Sequence, residues 1–140
     1  MSDSETALIV GAGAGLSASL ARRFAREGIK VALAARDTGK LAALCEETGA
    51  TAWRCDASDP ASVESLFAAV TSEIGEPDIA IYNASNRARG PVTELDPEAV
   101  LTAIRISCFG GFLVAQQAAK QMVARGSGAI FFTGASAGVK

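Results

Sequence analysis

The chain has 140 residues, 49% hydrophobic and 20% charged, a balance ordinary for a globular protein large enough to bury a core. Its 13 basic and 15 acidic side chains leave a net charge of −2 with no basic tract, so binding to nucleic acid or to an anionic membrane has no electrostatic footprint. There is no histidine, which removes every Ser-His and Cys-His mechanism and most zinc sites; no metal is expected. Cys45, Cys55 and Cys108 are odd in number and lack metal-ligand spacing. They read as reduced thiols used as small apolar residues in a cytoplasmic protein. Met1 to Thr6 is polar and acidic, with no basic n-region or cleavage signature, and does not read as a signal peptide. The longest uncharged stretch, Ile106 to Ala119, includes Ser107, Gln116 and Gln117. It is too short and too polar to span a bilayer, so no membrane association is expected.

Short apolar runs alternate with longer helical stretches. Ala7 to Val10 is a strand ending at glycines, and Ser17 to Glu27 is a helix closed by Gly28. Val31 to Ala35 is the second strand; Asp37 can cap a helix running to about Thr48, closed by Gly49. Thr51 to Cys55 is the third strand. Asp59-Pro60 then sets an N-cap and a first-turn proline for a helix to about Ile74, ahead of Gly75 and Pro77. Ile79 to Tyr82 is the fourth strand, followed by a long loop with Arg87, Arg89, Gly90 and Pro91. A second Asp-Pro start, Asp96-Pro97, opens the longest helix, to about Arg125, before a fifth strand at Ala129 to Phe132. The β-α alternation without hairpin signals predicts an α/β fold: a parallel sheet with right-handed crossovers and helices on both faces. Apolar strands without alternation fit burial on both sides.

After the first strand comes Gly11-Ala12-Gly13-Ala14-Gly15-Leu16-Ser17-Ala18. Small residues in a tight turn let a diphosphate approach backbone N–H groups at the positive end of a helix. Two registers compete: Gly13-x-Gly15-x-x-Ala18 fits the general dinucleotide fingerprint, and Gly11-x-x-x-Gly15-x-Ser17 fits a looser spacing. The position, after the first strand and opening the first helix, favours phosphate binding by Gly11, Gly13, Gly15 and Leu16 over a purely structural turn.

Here the chain resembles the short-chain dehydrogenase/reductase family, whose turn is usually Thr-Gly-x-x-x-Gly-x-Gly; Val10 replaces the Thr and Ser17 the last Gly. Asp56, with Ala57 beside it, matches the family aspartate that meets the adenine amino group; a loop or capping carboxylate is its alternative, and for Asp59 capping is the better reading. Tyr82-Asn83-Ala84-Ser85 resembles the family's Asn-Asn-Ala-Gly, with Asn83 and Ala84 lining the cofactor. Gly128 to Gly138 resembles the strand that delivers the catalytic serine. The resemblance covers essentially the whole chain. It implies a Rossmann-type doubly wound sheet of about five strands in order 3-2-1-4-5, in three α/β/α layers. Residues 1–140 are then one dinucleotide-binding domain, C-terminally incomplete.

NAD-preferring sites place an acid at the end of the second strand to meet the ribose hydroxyl. Ala35 stands there, followed by Arg36, whose guanidinium can pair with a 2′-phosphate for roughly 1.5–3 kcal/mol. NADP(H) is therefore favoured over NAD(H), with Arg36 as a solvated loop residue, or Asp37 facing the ribose, as the alternatives.

The family's chemistry uses a serine, a tyrosine and a lysine, often with an asparagine from the long helix. In gapless alignment the serine position is Ala135, with Ser136 one residue late, and Ser107 holds the asparagine position. The Tyr-x-x-x-Lys motif would lie beyond Lys140, and Tyr82, the sole tyrosine, falls in a buried strand. Ser136 is the best candidate for a carbonyl-binding hydroxyl, against a loop-structural role; Ser107 reads as a helix-packing residue, and Arg87 and Arg89 as solvated loop charges. The implied function is hydride transfer between NADP(H) and a small-molecule carbonyl or alcohol, with the 140-residue chain alone expected to be inactive. The alternative is a non-catalytic NADP(H)-binding regulatory or sensor module. The fifth strand is expected as an exposed apolar edge. The 97–125 helix, apolar nearly all round, reads as a homo-oligomer interface or as a face buried by later helices.

Overall fold

Apolar runs too short for helices and bounded by glycine build the sheet. The computed structural model describes residues 4–139; Met1–Asp3, part of the polar N-terminal stretch, and Lys140 lie outside them. The elements are β1 (Thr6–Val10), α1 (Leu16–Arg26), β2 (Lys30–Ala35), α2 (Ala42–Thr48), β3 (Thr51–Arg54), α3 (Pro60–Glu73), β4 (Ile79–Tyr82), α4 (Pro97–Ile104), α5 (Gly110–Arg125) and β5 (Ala129–Phe132). All strand pairs are parallel and the order is β3-β2-β1-β4-β5, as expected. Helices α3 and α5 pack on one face through Val63, Phe67, Val70, Leu113, Val114 and Ala118, against Leu8, Val10, Ala32 and Ala80. On the other face α1, α2 and the turn before α2 bring Ala18, Ala21, Leu44 and Leu41 against Ile9, Leu33 and Ile81.

The expectation of strands buried on both faces holds for β1, β2 and β4 but not for the two edge strands. β3 has no buried residue, and on β5 Phe131 and Phe132 are 55% and 59% exposed. An edge strand has only one neighbour to cover it. The exposed apolar edge expected of the fifth strand is present.

Both Asp-Pro starts form as read: Asp59 accepts from the Ala61 N–H at 3.1 Å, and Asp96 from the Glu98 N–H at 3.1 Å, with a proline in each first turn. Asp37 departs from its reading. Its Oδ1 accepts from the Gly39 N–H at 2.9 Å, which closes a tight turn, and the chain winds through a 3₁₀ turn at Gly39–Leu41 before α2 begins.

The long helix is also more complex than its pattern. It runs continuously from Pro97 to Arg125 but contains a π turn at Arg105–Phe109, where the Gly110 N–H reaches back to the Arg105 carbonyl. By length and composition this helix is apolar enough to cross a membrane, which the short uncharged run alone did not show. Its α5 part packs into the α/β core, burying Gly110, Gly111, Leu113, Val114, Ala118 and Met122. Gly126, at φ +76°, ends it in the left-handed conformation. Arg125 ties that end to the start of β4 through Glu76 at 2.9 Å and the Pro77 carbonyl at 3.0 Å. The apolar character all round resolves into a buried stripe on α5 and an outer group of Leu101, Ile104, Phe109 and Phe112, each 39–55% exposed. No residue of α4 is buried.

Candidate functional site

The strand order reverses direction between β1 and β4, and in open parallel sheets ligands bind outside the carboxyl ends of strands at such a point. A cleft of about 550 Å³ opens there. β1 and its turn supply Val10, Gly11, Ala12 and Gly13; β2 and the turn after it supply Ala34, Ala35, Arg36, Asp37 and Lys40. Cys55, Asp56 and Ala57 follow β3, Asn83, Ala84 and Ser85 follow β4, and Ile106 enters from the π turn.

Gly11 makes the cleft possible by letting two backbones touch. Its φ is +87°, and a Cβ there would collide with the Ala84 backbone nitrogen and stand 2.6 Å from the Ala84 Cα. Only glycine fits. The Gly11 and Ala12 N–H groups both donate to the Ala34 carbonyl, at 2.9 and 3.0 Å. Gly13 and Gly15 are different: a Cβ on either would meet nothing within 4 Å. Gly15 is the N-cap of α1; the Ala18 N–H turns back to the Gly15 carbonyl at 3.1 Å, and no side chain caps the Leu16 and Ser17 N–H groups. That is the arrangement an anion requires at a positive helix end.

Charge gathers at the β2 side. Arg36 and Lys40 enter no salt bridge among the described residues. Asp56 Oδ1 accepts from the Ser58 hydroxyl at 2.7 Å and the Ser58 N–H at 3.0 Å. Those bonds, with a smaller contribution from Arg36, hold the carboxyl below its ordinary range, so it is an acceptor at neutral pH. Burial pushes the Cys55 thiol up, which keeps it an inert, apolar part of the wall.

At the other end Tyr82 is buried, and its hydroxyl donates to the Ile106 carbonyl. Because the Gly110 N–H goes to Arg105, Ile106 is the carbonyl that a π turn leaves over. Ser107 is not merely a packing residue: its hydroxyl accepts from the Asn86 N–H at 3.0 Å and donates to the Asn86 carbonyl at 2.9 Å. It pins the loop after β4 to the helix.

Of the residues singled out in the sequence, Gly11, Gly13, Arg36, Asp56, Ala57, Asn83 and Ala84 line one cleft. Gly15 and Leu16 stand at the start of α1 outside that lining, and Ser136 lies exposed in a 3₁₀ turn beyond β5, also outside it. Lys40 and Ile106 were missed. Lys40 carried a local signal, a second cation near Arg36; Ile106 carried none, because only the π turn brings it to the cleft.

A family model described as short chain dehydrogenase matches residues 5–140. A Streptomyces coelicolor protein named for ketoacyl reduction is 33% identical over 91% of this chain and 52% of its own length. D-threitol dehydrogenase of Mycolicibacterium smegmatis is 31% identical, over 91% of this chain and 51% of its own length. A variant of actinorhodin polyketide ketoreductase crystallised with NADPH superposes with a TM-score of 0.93 at 31% identity, covering all of this chain and 56% of that one. The chain thus spans about half the length of the curated relatives it matches. Three of the motifs that resemble the family's, the glycine turn, Asp56-Ala57 and Asn83-Ala84, meet in its cleft, and the chain belongs to the short chain dehydrogenase family.

Proposed function

We propose that the cleft binds NADP(H) and that the protein serves hydride transfer between this cofactor and a small carbonyl or alcohol substrate. One observation carries the reading: Gly13, with open space beside it and the uncapped start of α1 two residues further on, lines one cleft with Arg36 and Lys40. A dinucleotide is an anion in its middle and, when phosphorylated on the ribose, at one end. The α1 N–H groups, with Gly13, Gly15 and Leu16, would take the diphosphate. Arg36 would take the 2′-phosphate, since its planar guanidinium suits a phosphate and no acid stands at Ala35. The Gly39 N–H already donates to one oxygen of Asp37, which weakens the case for a ribose role. Asp56 would accept from the adenine amino group, and Ala57, Asn83 and Ala84 would flank the rest. A bound nicotinamide supplies the hydride donor or acceptor.

Ser136 follows the fifth strand at the same carboxyl end of the parallel sheet, and it is the proposed hydroxyl to meet the substrate carbonyl. The relatives' names, a ketoacyl reductase and a polyol dehydrogenase among them, support the carbonyl–alcohol class. The outer apolar group on α4 and α5 supports assembly with a second copy of the chain. Calorimetric titration tests the cofactor assignment. Arg36→Asp should weaken NADPH at least roughly tenfold while leaving NADH nearly unchanged; equal NADPH affinity in the variant would overturn it.

A further inference from the structure

The glycine turn is held in place by a buried serine where the family pattern has glycine. Ser17 is 1% exposed, in the first turn of α1. Its hydroxyl accepts from Asn83 Nδ2 at 2.7 Å and donates to the Gly11 carbonyl at 3.2 Å. Asn83 is itself fixed, its N–H donating to the Val10 carbonyl at 2.8 Å. With the Gly11 and Ala12 N–H groups both bonded to Ala34, the start of the turn is tied to β2 on one side and β4 on the other. The segment Gly13 to Leu16 is left exposed or half-buried, with open space beside Gly13 and Gly15.

We propose that Ser17 is a positioning residue: through Asn83 and Gly11 it sets the turn so that the Gly13–Leu16 N–H groups converge on a diphosphate. The inference rests on the cofactor reading above and adds to it a residue that does not itself line the cleft. The physical reason is local. A turn of small residues has little side-chain packing to hold it, and without the hydroxyl the Gly11 carbonyl and the Asn83 amide lose their common partner and keep only their own long contact, Asn83 Nδ2 donating to the Gly11 carbonyl at 3.5 Å. The ordering of the turn must then be supplied when the ligand binds, which weakens binding of ligands that need the turn.

The test compares three ligands on the full chain, NADPH, 2′-phospho-ADP-ribose and adenosine 2′-monophosphate, by calorimetric titration. Ser17→Ala and Ser17→Gly should each weaken the two diphosphate-bearing ligands roughly three- to tenfold and leave the monophosphate, which reaches only the Arg36 end, within twofold of its original affinity. Two variants guard against a packing artefact of either one, and a loss confined to diphosphate ligands is not what general destabilisation produces. Unchanged affinity for all three, or the same loss for all three, would overturn the positioning role. If the unaltered chain binds none of them, the cofactor reading itself fails and this inference falls with it.

Discussion

The glycine turn and the outer face of the long helix are opposite solutions to the same shortage of partners. In the turn, Gly11, Ala12, Ser17 and Asn83 satisfy one another and the neighbouring strands, and every residue of β1 is buried. On α4 no residue is buried, and Leu101, Ile104, Phe109 and Phe112 meet water, with Phe109 and Phe112 stacked at 6.3 Å. The first region is a closed frame that leaves only backbone N–H groups for a ligand. The second leaves apolar area that only another surface can remove from water. Substitutions in the frame should therefore register as stability, and substitutions on the outer face as association.

The sharpest way to break the comparison is Gly11→Ala. A Cβ in contact with Ala84 at a positive φ should cost about 4 kcal/mol or prevent folding, by denaturant unfolding. Gly13→Ala, in open space, should change stability by no more than about 0.5 kcal/mol. Equal losses at the two positions would remove the distinction between frame and cradle.

Tyr82 joins the two regions, and its effect should be intermediate. Tyr82→Phe leaves the Ile106 carbonyl without its donor and should cost about 1–2 kcal/mol. Burial first, then the nearby Cys55 and Asp56, pushes this phenol from 10.0 up to about 12. The folded state thus keeps the proton that the unfolded chain releases: the contribution is full below pH 10.0 and is lost as pH rises toward about 12. Tyr82 is the sole tyrosine, so tyrosinate absorbance should grow only together with loss of the far-UV circular dichroism. Titration near 10.0 with the fold intact would contradict the burial argument.

The smallest effect on stability belongs to the outer face. Ile104→Ser and Phe112→Ser should each stay within about 0.5 kcal/mol in the unassembled chain and shift sedimentation toward smaller species. An unchanged sedimentation profile would mean that this face does not carry self-association.

The parts of the site legible in the sequence are those whose signal is local. Gly11, Gly13 and Arg36 follow directly from strands that end in glycine or in Ala35, and Asp56 follows the third strand in the same way. Asp59 and Asp96 announce their helices because a cap and its N–H partner lie two residues apart. Asp37 looked like a third such cap, but Gly39 let the chain close a tighter turn first. Ser107 reads as packing in the sequence because its partner, Asn86, lies 21 residues away.

What the sequence by itself determined is the order of the elements, the parallel sheet they must form, and the strand ends at which the candidate site lies. Periodicity, caps and turn residues act over a few positions, and they suffice for that. Only the tertiary structure decided how the site is held: Ser17 against Asn83 across 66 residues, Tyr82 on the carbonyl left over by a π turn, and Ile106 carried to the cleft by that same turn. Each is a hydrogen bond or contact between elements whose neighbourhood exists only after the sheet has formed. No local pattern encodes it.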